Sequence, residues 1–181
     1  MTAFDAPPHD APHDLVLPAD DPFLAAGGYD LADLAGHWAA AGARQPMSAE
    51  EMRGADRRAQ RQGVPLELLM EQAGAAVAAA ARALIEQTSR AGHGPVLVLA
   101  GAGNNGGDGS VAARYLGRAG VRCVVVLVAT EERPTTRDAG RNWDRLEQEP
   151  GVSRFQAAGA RDLGMLGAGV EKASIVVDAL L

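Results

Sequence analysis

Hydrophobic and polar positions divide the chain into a patternless first quarter and a longer region where apolar runs alternate with helical periods. Ser48-Ala49-Glu50-Glu51 opens the patterned region. Ser with Glu three residues on is a capping box, in which side chains take up free N–H groups at a helix start. A helix is predicted over 49–62, stopped at Gly63, with Val64-Pro65 turning the chain. A second is predicted over 66–90, packing through Leu68, Leu69, Gln72, Val77 and the alanines 78–81, and ended by Gly92 and Gly94. The wholly apolar run Val96–Ala100 reads as a strand. A helix over 108–119, a β-branched strand over 122–129 and a charged helix over 136–149 follow. Then come a short strand over 152–156, a helical turn over 161–166 and a last strand over 174–179. Apolar strands separated by helices indicate a parallel sheet covered on both faces. Right-handed crossovers wind it into an α/β fold: a three-layer αβα, Rossmann-like, doubly wound, mostly parallel sheet. The chain ends two residues after Ala179, so the expectation is a truncated domain, incomplete at its C-terminal edge. Its last strand would then be a bare apolar edge, open to pairing, a homodimer included.

Length and composition add limits. The 181 residues suit one domain with a real core, and 47% hydrophobic but only 4% aromatic content makes that core one of Val, Leu and Ala. No apolar run approaches the roughly 18 residues that span a bilayer. No basic start followed by an apolar stretch marks a secretory signal. Cys123, alone of its kind and inside RCVVVLVA, reads as a buried apolar residue. Without an intramolecular disulfide, a reducing cytoplasmic setting is expected. Net charge is −6, and residues 1–45 hold seven of the acids and one base, so the remainder is balanced. That balance carries no nucleic-acid footprint. Residues 1–45, rich in Pro, Asp, Ala and Gly, are expected to be an acidic disordered extension with one short helix near 31–41. His9 and His13, each in a Pro-His-Asp context, read as part of that extension rather than as metal ligands. The domain proper is taken as 46–181.

The candidate chemistry sits in GAGNNGGDG, Gly101 to Gly109, between the first strand and the following helix. A strand, a glycine-rich loop and a helix N-terminus bring backbone N–H groups up to an anionic ligand. Gly101, Gly103 and Gly106 satisfy G-x-G-x-x-G, a weak match by itself. The acid that would hold a ribose is represented only by Glu131 and Glu132, which come late. A Walker loop is excluded, since no Gly-Lys-Ser/Thr is present. Asp108 is expected to cap the following helix. Asn104 and Asn105 could be turn residues, yet two Asn with these glycines exceed what a turn needs. Asp178 closes the apolar run Ile175-Val176-Val177. It reads either as a solvated strand end or as a site residue. With strand order 3-2-1-4 its strand would lie beside Val96–Ala100, and Asn105 and Asp178 would flank the topological switch point where open α/β sheets bind ligands. Amide, carboxylate and carbonyl oxygens there would suit a hard cation.

Ala100 to Leu116 (AGAGNNGGDGSVAARYL), Met47 to Gly74 (including LMEQAG) and Val176 to Leu181 (VVDALL) together resemble the YjeF N-terminal domain family, the NAD(P)H-hydrate epimerases. The resemblance implies a metabolite-repair isomerase that interconverts R and S forms of hydrated NADH or NADPH for a partner dehydratase. It implies that Asn104, Asn105, Gly106, Gly107 and Asp108 contact the hydrated nucleotide. It also implies that Asn105 and Asp178 bind a potassium ion. The family's catalytic carboxylate belongs to an IDIPSG-like segment, so the catalytic residue is expected beyond Leu181. Two other classes compete with this one. One is a non-catalytic YjeF-type ligand-binding or scaffold module. The other is a nicotinamide-dependent oxidoreductase, which the two helices before the first strand and the late acids disfavour.

Overall fold

Helix α1 (Ala49–Arg61) starts where the capping box places it. Ser48 Oγ accepts the Glu51 N–H at 3.3 Å, and the Ser48 N–H donates to Glu51 Oε2 at 2.7 Å. The computed structural model describes residues 48–181. The expectations for residues 1–45, with the short helix near 31–41 and the His9/His13 pair, lie outside the described residues.

Helix α2 (Leu66–Gln87) ends earlier than its apolar pattern suggests. Thr88 is its C-cap and Ser89 turns into the left-handed region at φ 52°, so the chain leaves the helix before reaching Gly92. Its buried stripe is Met70, Gly74, Ala78, Ala81 and Ile85, a three-and-four spacing, while Val77 is exposed. Contrary to the expectation from apolar runs, α2 is long and apolar enough to cross a bilayer, by length and composition alone. Half of it is buried inside the domain, and its small residues give it core character instead.

Four strands follow: β1 (Val96–Ala100), β2 (Cys123–Val128), β3 (Val152–Ala157) and β4 (Ile175–Ala179). They alternate with α3 (Asn104–Arg118), α4 (Arg137–Arg145) and α5 (Ala160–Lys172). All pairings are parallel, in the order β3-β2-β1-β4. The predicted charged helix is split, α4 passing into a 3₁₀ turn over Leu146–Gln148. The predicted helical turn after β3 is a full 13-residue helix, α5. Its glycines weaken the sequence signal. Asp162 Oδ2 nevertheless accepts the N–H groups of Ala158 and Gly159, and Leu166 packs on the sheet.

The two faces of the sheet differ. Val96, Val98, Ala100, Cys123, Val125, Leu127 and Ala179 point into the larger core with Ala112, Leu116, Trp143 and Leu146. Each large aliphatic buried there contributes about 1.5–3 kcal/mol. As read from the sequence, Cys123 is a buried apolar residue, its thiol pushed up to about 12 by burial. The other face carries Leu97, Val126 and Ala157 under α5, with Val176 and Phe155 exposed toward the two edges.

A buried ion pair ties α2 to α3. Arg114 Nη2 donates to both carboxylate oxygens of Glu71, and Tyr115 Oη donates to Glu71 Oε1 at 3.3 Å. Both charged side chains are nearly fully buried. Removing one partner of such a pair leaves a charge without compensation. Glu71→Ala is therefore expected to lower unfolding free energy by about 3–5 kcal/mol in urea titration, with Glu71→Ala/Arg114→Met recovering part of the loss. A cost under about 1 kcal/mol for the single variant would contradict this.

Candidate functional site

The site starts where two strands leave the sheet side by side. The Gly101 N–H donates to Ala179 O at 2.9 Å, carrying the β1–β4 ladder one residue past β1. A side chain on Gly101 would collide with the carbonyl oxygen of Leu180. Helix α3 then begins at Asn104, with Gly103 as an extended N-cap and no side chain capping it.

This corrects the expectation that Asp108 caps a helix starting there. Asp108 is the fifth residue of α3, which starts a full turn earlier. Packing overrides the low helix propensity of Asn-Asn-Gly-Gly. A Cβ on Gly106 would strike the carbonyl oxygen of Gly101. One on Gly107 would lie 2.7 Å from Met70 Cε and 3.0 Å from Ala139 Cα, and one on Gly109 2.7 Å from Ala179 Cβ. Through its glycines the start of α3 thus rests on the ends of β1 and β4 and between α2 and α4. Glycine in a helix costs about 1 kcal/mol. Here the close approach offsets that cost.

The same geometry opens the turn to ligand. The N–H groups of Asn104, Asn105 and Gly106 have no carbonyl four residues back, the first helical bond being Gly107 N–H to Gly103 O at 3.3 Å. Free N–H groups and the positive end of the helix dipole form a site for anions. Asn104 and Asn105 are exposed, whereas Gly106 and Gly107 are buried and can offer only backbone.

Asp108 has a property that the sequence reading missed. Burial, and next the charge of Asp56 on α1, push its carboxyl up to about 7. A carboxyl poised near neutral pH can both give and accept a proton. No local sequence signal announces this, because burial among elements distant in sequence creates it.

Asp178 stands opposite Leu99 in the register, on the sheet face away from α3. It is exposed, and its Oδ1 accepts the Leu180 N–H at 3.1 Å. The fold therefore gathers Asn104 to Asp108 on one helical turn and brings Asp178 to the end of the adjacent strand. Among the described residues no group of three His, Cys, Asp or Glu is placed to hold a metal. An ion here would need amide and carbonyl oxygens around one carboxylate, a donor set suited to a hard cation. Glu131 and Glu132 are exposed on the loop after β2. That loop is fastened to the glycine loop by Thr135, whose N–H and Oγ1 donate to Ala102 O at 2.9 and 3.1 Å.

A parallel sheet of this order, with an uncapped glycine helix at the carboxyl end of its first strand, defines a Rossmann-like α/β protein with that helix start at its switch point. Within that class the chain belongs to one family: residues 66–181 match YjeF-related protein N-terminus. Similar proteins include an NAD(P)H-hydrate epimerase of Cenarchaeum symbiosum, 36% identical over 132 residues, covering 68% of this chain and 60% of that one. One from Nitrosopumilus maritimus is 33% identical, covering 62% and 48%. A bifunctional NAD(P)H-hydrate repair enzyme Nnr of Thermanaerovibrio acidaminovorans is 42% identical over 90 residues, covering 50% of this chain and 17% of that one. The crystal structure of yeast ynu0, YNL200c, superposes with a TM-score of 0.59 at 29% identity, covering 76% of this chain and 57% of that one. The chain thus spans about half the length of the curated epimerases it matches.

Two outcomes are expected from this geometry. Gly106→Ala should cost about 2–4 kcal/mol in thermal or urea unfolding, while Gly103→Ala, with open space at its Cβ, should stay within about 0.5 kcal/mol. Equal effects would contradict the packing account. Folded Asp108 keeps its proton up to about pH 7, whereas an unperturbed carboxyl loses it near 3.8. The stability that this protonated group contributes is complete below pH 3.8 and is lost as pH rises through 7. Asp108→Asn has no proton to lose, so its Tm advantage over wild type should grow across that window and then level. Parallel Tm–pH curves would contradict it.

Proposed function

We propose that the chain is an epimerase of hydrated NADH and NADPH, interconverting their R and S forms in nucleotide repair. The observation that carries this is the uncapped first turn of α3, with exposed Asn104 and Asn105 beside the end of β4. Relatives named NAD(P)H-hydrate epimerase support the substrate class. In this reading the N–H groups of Asn104, Asn105 and Gly106 hold an anionic part of the nucleotide. Gly107 keeps the turn close-packed.

Inversion takes place at the carbon that bears the added hydroxyl, next to the ring nitrogen. A carboxylic acid protonates that hydroxyl, which leaves as water while the nitrogen lone pair forms the C=N bond. Water returning to the opposite face gives a proton back to the carboxylate, which restores the acid. The resemblance gives this role to an IDIPSG-like segment; among the described residues Asp108, one turn along α3 from Asn104 and pushed up to about 7 by burial, is proposed for both transfers. Asn105 and Asp178 would contribute oxygens to a potassium ion, whose charge would offset that of the bound nucleotide. Relatives named as bifunctional repair enzymes support coupling to a dehydratase.

The test is R-to-S conversion of hydrated NADPH followed by chromatography. Asp108→Asn should lower kcat by about 100-fold or more. Asn105→Ala and Asp178→Ala should raise KM and blunt any dependence on potassium. Wild-type kinetics in all three variants would contradict the assignment.

A further inference from the structure

A cavity of about 530 Å³ lies between the α1–α2 turn and the first turn of α4, lined by none of the residues assigned above. Its size is within the roughly 300–1,000 Å³ of small-ligand pockets. Val64, Pro65 and Leu66 give it an apolar wall, and Glu67, Arg137, Asp138 and Arg141 give it a polar one. Mixed lining with balanced charge suits a flat heterocycle carrying hydroxyls better than a bare anion.

Topology gives the cavity its relation to the candidate site. Helix α4 follows β2, so its first turn stands at the carboxyl end of the second strand. Gly107 of α3 packs against Met70 and Ala139, one residue beyond Asp138. Thr135 is bonded to Ala102 of the glycine loop. The cavity and the α3 turn are thus neighbours on one rim of the sheet. In doubly wound folds an acid near the end of the second strand holds the adenosine ribose, and an arginine nearby accommodates a 2′-phosphate. Neither Glu131 nor Glu132 lines the cavity, but Asp138 does.

The charges are unequally committed. Glu67 pairs with both Arg141 at 3.3 Å and Arg145 at 3.0 Å. Arg137 is exposed and forms no ion pair among the described residues. The carbonyl of Asp138 accepts from Asn142 Nδ2 at 3.2 Å, which leaves its carboxylate for other partners.

We propose that this cavity takes the adenosine half of the dinucleotide, with the base against Val64–Leu66, Asp138 on the ribose hydroxyls and Arg137 on a 2′-phosphate. The inference rests on the reading that α3 binds the rest of that nucleotide. Asp138 and Arg137 side by side would admit both the unphosphorylated and the phosphorylated ribose.

The full chain, labelled with ¹⁵N, is titrated with ADP and with adenosine 2′,5′-bisphosphate, and separately with hydrated NADPH. Both fragments are expected to shift the amides of Gly63, Val64, Leu66, Glu67, Arg137 and Asp138. Arg137→Gln should weaken the bisphosphate about tenfold and ADP less than about twofold. Asp138→Asn should move the preference the other way, toward the bisphosphate, a sign reversal that simple loss of structure does not produce. Fragment shifts confined to Asn104–Asp108, or an unchanged preference in both variants, would overturn the adenosine cavity and leave the α3 reading standing. Cavity amides that shift while hydrated NADPH leaves Asn104–Gly106 unmoved would keep the cavity and remove the α3 reading.

Discussion

Everything at the candidate site depends on how closely α3 approaches the sheet. Gly101 and Gly106 let backbone meet backbone just past the ends of β1 and β4, Gly109 lets α3 rest on the side chains of Ala179 and Val98, and Gly107 lets α2 and α4 close on the same helix. Across α2 the approach continues, since a side chain on Gly74 would strike Val111. Four elements therefore converge on the inner side of the start of α3, where there is no room for side chains. Its free N–H groups end up facing outward at the carboxyl edge of the sheet. The glycines that read as a ligand motif are packing residues first, and the free N–H groups of the candidate site result from that packing.

The buried Glu71–Arg114 pair works on the same interface one turn deeper. It costs desolvation and is held by both carboxylate oxygens and the Tyr115 hydroxyl. Such a pair gives little net stability against an apolar alternative, but it penalises any slip of α2 along α3. On the same helix α3, burial, and next the charge of Asp56, raises the proton affinity of Asp108. Packing and proton affinity thus meet on α3.

Much of this was legible in the chain. A wholly apolar run marked β1, a β-branched run β2 and Ile175-Val176-Val177 β4, and Ser48 with Glu51 marked the start of α1. The strand order 3-2-1-4, raised as a condition for bringing Asn105 and Asp178 to one end, is the order found. The start of α3 was misjudged because Asn-Asn-Gly-Gly has poor helix propensity, and only contacts with Gly101, Met70 and Ala139 make it helical. Helix α5 was underestimated for the same reason. The proton affinity of Asp108 and the cavity beside Asp138 had no local signal at all. Both arise where the α1–α2 region meets later elements, far apart in sequence.

The most direct measurement is a crystal structure of this chain with hydrated NADPH. The nucleotide should lie along the first turn of α3, with an anionic oxygen about 3 Å from the N–H groups of Asn104 to Gly106 and the hydrated ring within reach of Asp108. Nucleotide bound elsewhere, with that turn bare, would contradict the central claim that close packing of these glycines builds the site.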